Sequence, residues 1–277
     1  MGLFSRKKQQ AEPHTVTPLT TFKANFLSYQ VANLQGIGKR QNQEDSFGFA
    51  NVLDVTKIKD KGMLAVVTDG MGGMKGGKLA SDTAVASLRS DFENFDYSLD
   101  LAEQLERSVF NASEKIFSLL DGDGGSTLIA CIFYDEKLYF ASVGDSYLFL
   151  KRDNHLIHLN RKHTVMYDGY LSAVSRGSLD KTDAESDPEK HALTRFLGMD
   201  ELEDFDISRR PLPIKDGDVF LLCSDGVGGV LSEPCIYDCL SSCPAPVKMC
   251  EQLELNIINT NKRYQDNYTA LIVKCEY

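Results

Sequence analysis

At 277 residues, with 42% hydrophobic and 25% charged side chains, the chain has the composition of a soluble globular protein and the length for one large domain or two small ones. Its net charge of −10 disfavours nucleic acid or an anionic membrane as the main partner. No apolar run approaches the ~20 residues that span a bilayer, and seven cysteines, an odd number, exclude a complete set of internal disulfides.

Residues 1–24 are polar, contain Pro13 and Pro18, and are predicted to form a flexible arm. Met1 to Gln10 carries Arg6, Lys7 and Lys8 but no apolar core for export, and Arg6 stands where a myristoylation signal at Gly2 wants Ser or Thr. An uncleaved cytoplasmic N-terminus without stable membrane insertion is the expectation. Strands are predicted at Leu27–Leu34 and Ser46–Val52, on either side of the charged turn Lys39–Asp45, and at Met63–Thr68. A helical pattern runs from about Lys78 to Phe95. A clearer one follows, in which Leu101, Leu105, Val109, Ala112, Ile116 and Leu119 recur at spacings of three and four until Asp121–Gly125 ends it.

The runs Thr127–Tyr134, Leu138–Val143, Tyr147–Leu150 and Leu156–Leu159 are strand-like, with interruptions short enough for antiparallel hairpins. Residues 161–192 are polar and weakly periodic and are predicted to be a mobile insertion near function. Further strands are expected at Val219–Cys223 and Tyr268–Lys274, with two helices between them. Cys235, Cys239, Cys243 and Cys250 cluster there without a C-x-x-C pair or a nearby histidine, which reads as buried free thiols rather than zinc ligands. Helix pairs between runs of strands favour an α+β layered domain. Residues 25–277 contain no linker that would split them.

Twice an apolar segment runs into aspartate, glycine, one apolar residue and two more glycines: Leu64 to Gly73, with Asp69-Gly70, and Val219 to Gly229, with Asp225-Gly226. Each reads as a buried strand that delivers a carboxylate to its end, followed by a backbone free to bend. Carboxylates gathered from distant segments repel unless a cation or a proton sits among them. Other segments add acidic or phosphate-seeking groups beside glycine or at strand ends: Arg40-Gln41-Asn42-Gln43-Glu44-Asp45, Gly125-Ser126-Thr127, Gly144-Asp145-Ser146 and Asp266-Asn267-Tyr268-Thr269.

In this order and spacing the motifs resemble those of the metal-dependent PPM family of serine/threonine phosphatases, the PP2C type. The likeness runs from about Leu27 to Lys274. It looks closest to the compact bacterial branch, as Met71-Gly72-Gly73 and Leu193-Thr194-Arg195-Phe196-Leu197-Gly198 suggest. The resemblance implies an α/β/β/α sandwich, two antiparallel sheets flanked by helices, with two Mn²⁺ or Mg²⁺ ions at one end. It implies that Asp69 bridges both metals, that the Gly70 carbonyl binds one of them, and that Asp225 and Asp266 complete the other. Glu44 and Asp45 would hold metal waters, and Arg40 would take the substrate phosphate, for which a guanidinium fork is suited. The implied reaction is attack of a metal-acidified water on the phosphorus of phosphoserine or phosphothreonine, with no phosphoenzyme. Asp145 resembles a position that helps hold a third metal in bacterial members. Its partner there lies in the insertion, where Asp180 and Asp183 are both candidates.

The chain also departs from the family pattern. Gln43 stands for Asn or another short residue, and Tyr147 replaces the common Arg after Gly-Asp-Ser. Lys162-His163-Thr164 stands where the family has Asp-His-Ser/Thr, with His163 read as structural. Met71 and Met74 stand where relatives place histidines, and methionine donates no proton. A metal-bound water, Lys75 or Lys78 would have to protonate the leaving serine oxygen; Lys78 itself stands where bacterial members often have Glu. The expectation is a cytoplasmic, monomeric protein phosphatase acting on phosphoserine and phosphothreonine proteins opposite a Ser/Thr kinase. Its rivals are a pseudophosphatase that binds phosphoproteins or a regulator without turnover, and a hydrolase of another phosphoester, such as a nuclease.

Overall fold

The computed structural model describes residues 19–20, 27–71, 73–178 and 182–277; the predicted arm falls outside them except for Leu19 and Thr20. In chain order, β1 (Leu19–Thr20), β2 (Ser28–Gly36) and β3 (Ser46–Ala50) lead to α1 (Val55–Lys61), β4 (Met63–Thr68) and β5 (Gly70–Met71). Two long helices follow, α2 (Gly73–Glu93) and α3 (Leu101–Leu120). Then come β6 (Gly125–Ser126), β7 (Leu128–Tyr134), β8 (Lys137–Val143), β9 (Tyr147–Arg152) and β10 (His155–His158). The remainder is α4 (Val165–Ser175), α5 (Thr182–Ser186), β11 (Asp206–Ile207), β12 (Leu212–Pro213), β13 (Val219–Cys223), α6 (Asp225–Gly228), α7 (Glu233–Ser241), α8 (Pro246–Asn259) and β14 (Tyr268–Glu276).

The strands form two large antiparallel sheets and a short β5–β6 ladder. One sheet has the order β1-β2-β14-β13-β9-β10, the other β11-β8-β7-β4-β3 with β12 also on β8. Period-two alternation sorts each central strand between two cores. On β4, Met63, Ala65 and Val67 face the other sheet, whereas Leu64 and Val66 pack under α2 and α3. On β13, Phe220 and Leu222 face inward and Val219, Leu221 and Cys223 pack under α7 and α8. Both faces of these strands are covered, so β4 and β13 are buried throughout and read as unbroken apolar runs. The expected four layers, α/β/β/α, are therefore present. All seven cysteines are free, and Cys131, Cys223, Cys239, Cys250 and Cys275 are packed as small apolar groups.

Two helices escape a periodicity argument. In α1 only Ile58 is buried, and the helix rests on its cap, where Asp54 Oδ1 accepts the N–H groups of Thr56 and Lys57. In α4, within the segment 161–192, no residue is buried, so there is no apolar stripe to read.

At the sheet end remote from the Asp-Gly elements, Arg152 on β9 grips Asp218 with two bonds, Nε to Oδ1 at 2.8 Å and Nη2 to Oδ2 at 2.6 Å. The Asp218 side chain is 1% exposed. Loss of the guanidinium leaves a buried carboxylate without its counter-charge. The variant Arg152→Ala is expected to lose about 3 kcal/mol of stability, read as a lower urea midpoint with an unchanged m-value.

Candidate active site

Antiparallel pairing brings the acidic motifs to one end of the sandwich. Asp69 follows the last residue of β4, and Asp45 precedes the first residue of β3, which pairs Ser46 with Thr68. In the other sheet, Cys223 at the end of β13 pairs with Ala270 of β14 and Tyr147 of β9, so Asp225, Asp266 and Asp145 leave their strands at the same edge. Residues far apart in the chain thus meet because each flanks the same end of a strand. Every expected site residue, namely Arg40, Glu44, Asp45, Asp69, Gly70, Asp145, Asp225 and Asp266, belongs to this end.

The two Asp-Gly elements differ in backbone. After Asp69 the chain continues as β5, pairing Gly70 with Ser126, whereas after Ser224 it turns into the helical α6. Glycine is required in both because another backbone lies against it, and a positive φ is not involved. A Cβ on Gly70 would stand 2.1 Å from the Gly77 carbonyl oxygen and 2.7 Å from that of Glu44; one on Gly226 would stand 1.8 Å from the Asn267 carbonyl oxygen.

Hydroxyl groups and an amide fasten the site. Ser224 Oγ donates to Asp45 Oδ2 across the two sheets at 2.8 Å and accepts the Thr269 N–H at 3.0 Å. Thr127 Oγ1 accepts the Asp69 N–H at 3.0 Å and meets Ser146 Oγ at 2.8 Å. Asn267 Oδ1 accepts the Glu44 N–H at 2.8 Å, while its Nδ2 donates to the carbonyls of Ile37 and Asn42. These supports lie inside the motifs, but their roles are set by contacts that no spacing encodes.

The electrostatics are those of crowded, buried acids. Burial pushes the Asp69 carboxyl well up, and Asp45 and Asp225 add to the rise. Burial likewise lifts Asp225 to about 6, with Asp145 and Asp266 contributing. Asp45 is raised to about 7 by burial, against the opposing hydroxyls of Thr269 and Ser224. One oxygen each of Glu44, Asp45 and Asp225 is buried with no hydrogen-bond partner. Hard, unsatisfied carboxylate oxygens of this kind suit Mg²⁺ or Mn²⁺. Among the described residues no three acidic, imidazole or thiol groups close on a single point as a ready-made cage. That also fits such ions, which keep several waters and lean on one or two carboxylates each.

Asp266 is turned to Arg40, whose Nη2 reaches Oδ2 at 2.5 Å; the arginine side chain is 58% exposed, and its other donors remain for an oxyanion. Lys78 Nζ donates to the Asp45 carbonyl and Ser46 Oγ and pairs with Asp82, so it is anchored rather than free to deliver a proton. His163 is buried, its Nδ1 is 3.1 Å from the Gly144 N–H, and desolvation lowers its pKa, in keeping with a structural role. Asp180 lies outside the described residues, as do the side chains of Lys75, Met74 and Asp183. The residue missed from the sequence is Lys162, whose Nζ sits 3.6 Å from the centroid of the Tyr147 ring. Both positions are departures from the family pattern, and that coincidence was the available signal. A groove of about 540 Å³ between α3 and residues 199–203 gathers none of this chemistry.

Two outcomes follow from this geometry. Gly226→Ala forces Asn267 away and is expected to cost about 1–3 kcal/mol, with a smaller Mn²⁺-induced rise in Tm. The raised carboxyls favour the fold while protonated, below their ordinary value near 4. That contribution disappears as pH climbs through the folded values, about 6 for Asp225 and about 7 for Asp45. The Tm of metal-free protein is therefore expected to fall between pH 4 and 7, and saturating Mn²⁺ to restore it at pH 7 and above, as read by thermal denaturation.

Comparison with known proteins agrees. The family profile for Protein phosphatase 2C matches residues 29–168. The serine/threonine phosphatase Stp of Listeria welshimeri is 31% identical over 245 residues, which span 85% of this chain and 91% of that protein. The S. agalactiae serine/threonine phosphatase structure gives a TM-score of 0.74 at 26% identity, covering 88% of this chain and 98% of its own. The catalytic domain of PstP in complex with two manganese ions gives 0.73 at 25% identity, covering 91% of this chain and 100% of its own. With half of its length matched by the family profile and a relative above 30% identity over most of both chains, this chain belongs to the protein phosphatase 2C family.

Proposed function

We infer that the carboxylate end of the sandwich is the metal-loaded centre of a protein phosphatase. The enzyme hydrolyses phosphoserine and phosphothreonine in proteins with Mn²⁺ or Mg²⁺. The observation that carries the site assignment is the set of buried, unpartnered oxygens on Glu44, Asp45 and Asp225 beside the strongly raised Asp69.

When bound, two such cations supply an acidified water as nucleophile and neutralise the phosphoryl oxygens. Asp69, at the end of β4, is the carboxylate we assign to both cations, with the Gly70 carbonyl serving one of them. Asp225 and Asp266 serve the other, and Glu44 and Asp45 orient water. Arg40 takes the substrate phosphate with the donors that Asp266 leaves free. No side-chain nucleophile is needed, so no phosphoenzyme forms. With Lys78 anchored, water in the site or Lys75 is left to protonate the departing serine oxygen. A pseudophosphatase reading is not favoured, since Asp69, Asp225 and Asp266 are all in place.

Among the described residues no helix is long and apolar enough to cross a membrane. Seven free thiols support a reducing, cytoplasmic setting. A monomer acting opposite a Ser/Thr kinase completes the reading, because the reaction removes what such a kinase adds.

Purified protein is expected to hydrolyse a phosphothreonine peptide with Mn²⁺ and to stop with EDTA. Asp69→Asn is expected to lower kcat/KM by more than ~100-fold, beyond the usual effect of an outer-shell change. It should not lower the Tm of metal-free protein, because a neutral amide of similar shape replaces a carboxyl whose ionisation the site opposes. Full turnover without divalent metal contradicts the mechanism, and normal turnover in Asp69→Asn contradicts the shared-ligand role. Arg40→Ala is expected to cost about 10- to 100-fold in kcat/KM, the range for losing a hydrogen bond to a charged group.

A further inference from the structure

Two segments lie laced together beside the metal centre. His163 N–H donates to the Gly144 carbonyl at 2.9 Å, and the Gly144 N–H points back at His163 Nδ1 at 3.1 Å. Asn160 Oδ1 accepts the Leu148 N–H at 2.7 Å, and its Nδ2 donates to the Ser146 carbonyl and to Ser142 Oγ, each at 2.9 Å. Residues 160–163 are thereby pinned along the Gly144-Asp145-Ser146 turn, with Lys162 between the two anchors.

The lysine is equally constrained at its tip. Its ammonium rests on the face of Tyr147, which is stacked on Phe149. The ring is in turn wedged at Gly228, where a Cβ would stand 2.4 Å from Tyr147 Cδ2. Among the described residues Nζ has no hydrogen bond or close ion pair; its fixed partner is the ring face. Burial works against the ammonium and lowers its pKa, and of the charges that oppose this Asp145 acts most strongly and Asp225 next. Reciprocally, Lys162 is the largest charge holding down the Asp145 carboxyl, which burial pushes up.

We propose that Lys162 is a resident cation at the Asp145 edge of the site, held there by Tyr147 and the His163–Gly144 lacing, and that it excludes a third divalent ion from Asp145, so that the chain loads two metals and no more. A dication placed on Asp145 would face an ammonium that the aromatic wall keeps from withdrawing. Coulomb repulsion between a neighbouring ammonium and a dication, at an effective dielectric constant of ~20, weakens such a site on the order of 10²-fold. The proposal rests on the two-metal reading above and assigns Asp145 to a lysine instead of a metal. It makes Lys162 a positioning residue.

Mn²⁺ stoichiometry tests it, measured by calorimetry and by equilibrium dialysis with elemental analysis on the full chain. Wild type is expected to bind two Mn²⁺ per chain, and Asp145→Asn alone to leave that count at two. Lys162→Met keeps a stem of similar length on Tyr147 without the charge, and is expected to gain a third site at least ~100-fold tighter than any third site in wild type. The double variant Lys162→Met/Asp145→Asn should lose that site again. Lys162→Gln serves if the methionine variant does not fold, and Lys162→Arg, which keeps the charge, should stay at two. Three ions in wild type, or no third ion in either neutral variant, overturns the proposal. Fewer than two in wild type overturns the two-metal reading itself.

Discussion

The structure depends on holding several carboxylates close together in a buried place. Asp45, Asp69, Asp145 and Asp225 gather with Asp266 at one end of two sheets that share a core; desolvation opposes ionisation of the first four, and neighbouring acids add to it at Asp45, Asp69 and Asp225. The fold offsets this cost elsewhere. β4 and β13 are buried on both faces, and their side chains join the cores on either side. At the site itself, the hydrogen bond from Ser224 to Asp45 ties one sheet to the other next to the charges that would part them. A metal-dependent enzyme is the natural resolution, since cations remove the repulsion that such a cluster of charge imposes.

The arrangement is asymmetric, although two of its elements look like a repeat. Asp69-Gly70 runs on as a strand and Asp225-Gly226 becomes a helical turn, yet both need glycine because a second backbone crosses them. The crossing chains differ. Gly70 lies against Gly77 of α2 and Glu44 in the loop before β3, whereas Gly226 lies against Asn267 just before β14. Each Asp is therefore delivered with its own neighbours, a circumstance that suits one carboxylate shared between cations and another committed to one.

Positive charge is placed at two edges of the cluster. Arg40 is exposed and uses one of its five donors on Asp266, which leaves it poised for an oxyanion from solvent. Lys162 is partly buried and laid on an aromatic ring, and Asp145 and then Asp225 are the charges that act on it most strongly. One cation faces solvent and the other faces the protein. The difference in burial is what separates a binding group from a positioning group here.

Much of this architecture is legible in the order of residues. The long helices show their 3.6-residue stripe, and the central strands show unbroken apolar runs bounded by Asp-Gly. The acidic motifs lie beside glycine or near strand ends, and their order and spacing, through the resemblance to the phosphatase family, point together to Arg40, Glu44, Asp45, Asp69, Asp145, Asp225 and Asp266. Helices α1 and α4 are not legible in this way, since they bury one residue and none and so leave no period to read. The bonds of Ser224 to Asp45, Asn267 to Glu44 and Thr127 to Ser146 are not legible either, because they join residues whose proximity exists only once antiparallel strands are paired. Lys162 is the clearest case. Residue order alone establishes that a lysine precedes His163 and that a tyrosine follows Gly-Asp-Ser. That the two touch, and that the charge is held beside Asp145, follows only from the way the strands and the 160–163 segment pack in three dimensions. A cation's effect falls off with distance and rises with burial, and neither quantity is written in the order of residues.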